Sequence, residues 1–183
     1  IGRSVEGRPI LSVEMGDKSK PRAVFSATFQ PGEPAAWAIL SMIEAVLFDG
    51  ELTHFQKEYD LAFLPMTNPD GVVYGSDNVN SKGEIVLFGF DSQSLKSEGN
   101  HEAKFLWDYL KPKPPVVMIA FHFLILPNHP LPRPYVFASE LYSDPGKRAI
   151  GMSLIRRLER LSGAKEGKII PVGDPMWKHL ATY

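Results

Sequence analysis

The fold is decided between residues 22 and 48. Arg22-Ala23-Val24-Phe25-Ser26-Ala27-Thr28-Phe29 is followed by Gln30-Pro31-Gly32-Glu33. Then comes Pro34-Ala35-Ala36-Trp37-Ala38-Ile39-Leu40-Ser41-Met42-Ile43-Glu44-Ala45-Val46-Leu47-Phe48. The first eight residues are mostly apolar and predict a strand, which Gln30-Pro31-Gly32-Glu33 breaks. Pro34 suits the first turn of a helix, where a missing N–H costs nothing. That helix runs to Phe48 and is stopped by Asp49-Gly50. It is apolar nearly all round, which predicts burial between layers.

Outward from this unit the same alternation continues. Residues 10–15 read as a strand before the turn Gly16-Asp17-Lys18-Ser19, and residues 60–66 as a short buried strand. Residues 67–91 are poor in periodicity and rich in Asn, Asp, Gly and Ser, so they read as a long loop. Asn100 can cap a helix over 101–110, halted by Pro112 and Pro114. Residues 116–126 are β-branched and aromatic and predict a fully buried strand. Ser143-Asp144-Pro145 opens a last helix, with Ile150, Leu154, Leu158 and Leu161 on one stripe and Gly163 as its C-cap. Strands alternating with helices make the class α/β with a mainly parallel or mixed sheet. Ligands in such sheets sit at the carboxyl ends of strands. Gln30 to Glu33, Asn68 to Gly71 and His122 all fall at or near such ends.

Composition narrows the chemistry. The chain has 183 residues, a formal net charge of −1, 44% hydrophobic residues and no cysteine. The charge balance gives no argument for nucleic acid or an anionic membrane. Without Cys there is no disulfide, thiol nucleophile or Cys-zinc site, so a transition metal would need His and carboxylate, and there are five His. The longest apolar run, 116–126, holds His122 and is shorter than the roughly 18 residues of a membrane span. No signal peptide is visible, so a soluble chain in an unassigned compartment is expected.

Glu33 lies three residues after Gln30, at a strand-to-helix junction. His-x-x-Glu at that place would let an imidazole and a carboxylate hold one metal from a single turn, with a distant His as third ligand. The first position here is Gln30, and a neutral amide is a poor zinc ligand. A turn with a carboxylate at a helix N-terminus is the plainer reading of the tetrapeptide. His122, inside Met118-Ile119-Ala120-Phe121-His122-Phe123, is either a core histidine or that distant ligand. Asn68-Pro69-Asp70-Gly71 by itself is a turn. His54 and His101 sit on polar faces, and His129 and His179 lack ligand spacing. Arg156, Arg157 and Arg160 form a basic, solvated face of the last helix. Phosphate loops and the Gly-x-Ser-x-Gly nucleophile turn are absent.

Read together, these pieces resemble the zinc metallocarboxypeptidase (M14 peptidase) family. The opening Ile1-Gly2-Arg3-Ser4-Val5-Glu6-Gly7-Arg8-Pro9-Ile10 is similar to its first segment. Gln30-Pro31-Gly32-Glu33-Pro34 resembles its His-Pro-Gly-Glu zinc motif, and Pro65-Met66-Thr67-Asn68-Pro69-Asp70-Gly71 its Pro-x-x-Asn-Pro-Asp-Gly segment. His101-Glu102-Ala103-Lys104 resembles a Pro-Glu-x-x-Ala helix, and the strand to His122 resembles the one bearing the second zinc His. The order and spacing match over about residues 1–125. The resemblance implies a three-layer sandwich of helices around a twisted mixed sheet, zinc as cofactor, and peptide or protein C-termini as substrates.

The departures are specific. Glu33 and His122 match two zinc ligands, while Gln30 replaces the first His. Asn78 replaces a substrate-binding Arg, and Leu87 and Phe88 replace the Asn-Arg pair that holds the substrate carboxylate. A carboxylate is held bidentately by a guanidinium, which Phe cannot supply. Ala120 stands where the family has Asp two residues before the His. Of the 61 residues after His122, only Glu140, Glu159 and Glu166 are Glu, none in a segment resembling that of the general base. The expectation is therefore a single carboxypeptidase-like domain over 1–183, incomplete at its C-terminal end. Its peptidase activity is expected to be weak or absent, the alternative being a catalytically dead binding or structural module.

Overall fold

A computed structural model describes residues 1–89 and 100–122, together with helical residues Gly146, Ala149, Met152, Ser153, Arg156, Arg157 and Arg160. The chain divides into two units, Ile1–Leu124 and Ile125–Tyr183. In the second unit the three arginines are exposed on helical backbone. The apolar stripe and the cap predicted for that helix lie outside the described residues, as do His129 and His179.

The first unit is built on a four-stranded sheet in the order β3-β5-β4-β6, with β3 at Val13–Gly16, β4 at Arg22–Ala27, β5 at Asp60–Leu64 and β6 at Val117–Phe121. β4 runs parallel to both β5 and β6, and β3 runs antiparallel to β5, so the sheet is mixed. A two-stranded ribbon joins β1 (Gly2–Arg3) to β2 (Pro9–Ile10). The helices are α1 (Ala36–Phe48), α2 (Phe55–Glu58), α3 (Pro69–Tyr74) and α4 (His101–Leu110), with a 3-10 turn, η1, at Val86–Phe88.

Side-chain alternation explains how helices find this sheet. Ala23, Phe25 and Ala27 of β4 face one side, where they join Ile39, Met42, Ile43 and Val46 of α1 and Phe63 of β5 in one cluster. The alanines leave room for the helix, and the Phe25 and Phe63 rings stack at 5.2 Å beside them. Arg22, of opposite parity, hydrogen-bonds Tyr109 of α4, which places α4 on the other side. With both faces covered, every residue of β5 is buried.

Four sequence expectations change. The strand predicted for 10–15 is split between β2 and β3. The loop predicted for 67–91 contains α3 and η1. It starts a helix because Asn68 accepts the Gly71 N–H and Pro69 occupies the first turn, which offsets the β-branched pair Val72 and Val73. The strand after 116 alternates between half-buried and exposed residues, since β4 is its one strand neighbour among the described residues. Finally, α1 is not enclosed between layers. Ile39 and Val46 are buried, while Trp37, Leu40, Leu47 and Phe48 are exposed.

Candidate metal centre

Three parallel strands end at one edge of the sheet, and the chain beyond each of them supplies part of the site. After β4, Thr28 takes a left-handed backbone, φ 63°, which is costly for a β-branched residue. Its hydroxyl donates to the Pro65 carbonyl at 2.8 Å, while Thr67 Oγ1 donates to the Ala27 carbonyl at 2.9 Å. These two reciprocal bonds tie the ends of β4 and β5 and hold the reversal that presents residues 29–33. Nothing in the sequence marked Thr28 for this role.

The segment after β5 supports the same loop from below. Asn68 is fully buried; its Nδ2 donates to the Phe29 carbonyl at 3.5 Å, and its Oδ1 caps α3. Gly71 has no room for a side chain, because a Cβ would come within 2.2 Å of Pro31 Cγ and 2.5 Å of the Val79 carbonyl. The Gly32 N–H donates to the Asp77 carbonyl at 3.3 Å. Asp70 is fully buried and accepts from Ser4 Oγ and Arg8 on one oxygen and from the Glu6 N–H and Ser81 Oγ on the other. Burial pushes its carboxyl up, and the hydrogen bonds from Ser4, Arg8, Glu6 and Ser81 outweigh that, leaving it below the usual aspartate range. Glu102, also fully buried, accepts from the Val5 N–H at 3.1 Å and Asn80 Nδ2 at 2.7 Å. The first turn of the chain is thus clamped by two interior carboxylates.

On this support sit the candidate ligands. The Glu33 N–H donates to the Gln30 carbonyl at 3.1 Å, closing the turn that brings both side chains round. His122 follows β6 directly, with its ring stacked on Phe29 at 6.3 Å between centroids. Its Nδ1 lies 2.9 Å from Glu33 Oε2 and 3.1 Å from Gln30 Oε1. Both neighbouring atoms are oxygens, and Nδ1 faces the two of them together. The Gln30 Nε2 then donates to Asn78 Oδ1 at 2.7 Å. The result is a continuous array, Asn78–Gln30–His122–Glu33.

The structure therefore brings together Gln30, Glu33, His122 and Asn78. Leu87 is not among them: it is buried in η1, a turn that packs against α4. The Phe88 side chain lies outside the described residues, as do Glu140, Glu159 and Glu166. Among the described residues no three His, Cys, Asp or Glu side chains converge as a metal group. The donors at the site are one imidazole nitrogen, one carboxylate oxygen and one amide oxygen. Zinc sites are built from thiolate, imidazole and carboxylate, so this set is one strong ligand short of a three-ligand zinc centre.

A mixed sheet with helices on both faces and a His–Glu–amide cluster at the strand ends defines an α/β sandwich of the carboxypeptidase type. The profile of the family described as zinc carboxypeptidase, peptidase M14, matches residues 1–103, and the chain belongs to that family. Solved structures share the fold. A putative carboxypeptidase from Burkholderia mallei matches with a TM-score of 0.78 at 22% identity, over 95% of this chain and 46% of its own. A metallo-carboxypeptidase from Pseudomonas aeruginosa, solved with (2-guanidinoethylmercapto)succinic acid, matches with a TM-score of 0.77 at 22% identity, over 98% and 48%. The carboxypeptidase A of Helicoverpa armigera gives 0.67 at 18% identity, over 92% and 50%. The chain thus spans about half the length of these proteins. No curated protein matches it. Among the described residues no helix is long and apolar enough to cross a membrane.

Proposed function

We propose that this chain is a carboxypeptidase-fold protein that does not hydrolyse peptides with the residues it carries, and that it acts as a binding or structural module. The observation that supports this most is the hydrogen-bonded array at the strand ends. Gln30 occupies the place of the first zinc His, and its amide is committed on both sides, to His122 and to Asn78. Disturbing residues merely next to a metal ligand already costs about 10–100-fold in affinity, and losing a ligand costs more. Asn78 can hydrogen-bond a carboxylate but supplies no positive charge to hold it in one orientation. Peptide or protein C-termini remain the ligand class to which the family points.

The test uses the purified chain. Its zinc content by plasma mass spectrometry and its release of C-terminal residues from a peptide library are measured together. Zinc well below one equivalent with no turnover is the expected result. One equivalent of zinc with turnover would replace this reading with that of an active zinc peptidase.

A further inference from the structure

The turn that delivers Gln30 and Glu33 to His122 begins at one residue. β4 and β6 pair in parallel, with Ala23 opposite Val117 and Ala27 opposite Phe121, and one further step of that register would set Thr28 opposite His122. An extended chain advances about 3.3 Å per residue, so Gln30 would then lie about 6.6 Å past His122 and Glu33 about 16 Å past it. Instead, Gln30 Oε1 stands 3.1 Å and Glu33 Oε2 2.9 Å from His122 Nδ1. The extension stops at Thr28, the one non-glycine residue with a positive φ among the described residues. Phe29 follows it into the interior, with its ring stacked on that of His122.

Thr28 does not hold this angle by its own preference. A left-handed backbone drives Cβ against the following carbonyl, and a branched side chain makes that worse. Glycine would take the angle freely, but it has no hydroxyl. Thr28 is buried, and its hydroxyl donates to the Pro65 carbonyl, just past the end of β5. Thr67 is buried as well. Its N–H and its hydroxyl both donate to the Ala27 carbonyl, at 3.4 and 2.9 Å, which fixes the peptide leading into Thr28. Beyond the turn, Asn68 Nδ2 donates to the Phe29 carbonyl and the Gly32 N–H to the Asp77 carbonyl, so the reversed chain is held as it leaves. We infer that Thr28 is the positioning residue of the site: its left-handed turn, held by its hydroxyl, folds the chain back so that Gln30 and Glu33 meet His122. This role rests on Gln30, Glu33 and His122 being the site, and is independent of whether they bind zinc.

The test compares Thr28→Val, Thr28→Gly and Thr28→Ser in the full chain. Valine keeps the shape and loses the hydroxyl, glycine loses the hydroxyl and frees the angle, and serine keeps the hydroxyl. The readout is the set of nuclear Overhauser contacts between the His122 ring and the Gln30 side chain, recorded beside a melting curve. Thr28→Val should lose these contacts, while Thr28→Gly and Thr28→Ser should keep them. A merely structural Thr28 would change the melting temperature and leave the contacts of the folded chain intact. It would also make glycine the worse replacement, since a β-branched residue suits a strand end better. Should Thr28→Val fail to fold, Thr28→Ala carries the same comparison through amide hydrogen exchange at Glu33, whose N–H closes the turn onto the Gln30 carbonyl. That amide should exchange about 10-fold faster in Thr28→Ala than in Thr28→Gly, the size of the left-handed penalty on one Cβ. Contacts of wild-type strength in Thr28→Val overturn the inference. So does their loss in Thr28→Gly or Thr28→Ser, or exchange at Glu33 no faster in Thr28→Ala than in Thr28→Gly.

Discussion

Two buried carboxylates that differ in role, Asp70 and Glu33, make the informative comparison. Asp70 lies under the site and Glu33 lies in it. Asp70 takes four donors, among them the guanidinium of Arg8, and its charge is fully spoken for within the fold. Glu33 has one charged or chargeable partner among the described side chains, His122. A saturated carboxylate fixes geometry, whereas an unsaturated one keeps capacity for a ligand or a proton. The same contrast separates the two loops. Asn68-Pro69-Asp70-Gly71 is spent on holding the chain in place, and Gln30-Pro31-Gly32-Glu33 faces outward on that support.

If Asp70 is structural, removing it should produce the largest stability effect. Asp70→Ala is expected to cost about 3 kcal/mol in urea unfolding, since it strands Ser4, Ser81 and the Glu6 N–H and releases Arg8. The pH dependence follows from the direction of its shift. The folded carboxyl titrates below its unfolded value, so its stabilisation is complete above the unfolded pKa of about 4 and is lost as pH falls through the lower folded value. The gap between wild type and Asp70→Ala should therefore be widest near neutral pH and close in acid. A gap that widens in acid would mean that Asp70 is not the group that holds the first turn.

Gly71→Ala tests the contact between the two loops and should have a smaller effect. The added methyl meets Pro31 Cγ and the Val79 carbonyl at separations that demand movement. A loss of about 1–3 kcal/mol is expected in thermal unfolding. Chemical shifts of Gln30 and His122 should change with it, because Pro31 adjoins Gln30. A silent Gly71→Ala would show that the support does not govern the site.

Much of this was legible from residue types. The strand-turn-helix at 22–48, the Asn100 cap and the placement of Gln30, Glu33 and His122 at strand ends all follow from local pattern. What escaped depends on contacts between distant segments. Thr28 adopts a backbone its side chain disfavours, and only the two bonds to the end of β5 hold it there. The helix at Pro69–Tyr74 was hidden by Gly71 and two valines, although Asn-Pro at its start is a legible cap and first turn. The four-residue α2 is too short to carry a periodic signal. The apolar circumference of α1 pointed to burial on every side, while the sheet covers one side of it. Hydropathy counts the surfaces that favour burial, but not whether a neighbour exists for each.

We propose that Gln30 is the residue that weakens metal binding at this site, beside Glu33 and His122, which stand together. Zinc titration by calorimetry, comparing wild type with Gln30→His, tests this most directly. Wild type should bind zinc weakly, and Gln30→His should bind it at least 100-fold more tightly, about 2.7 kcal/mol, by restoring an imidazole beside Glu33 and His122. Equal affinities for the two chains, whether both weak or both tight, would contradict the account.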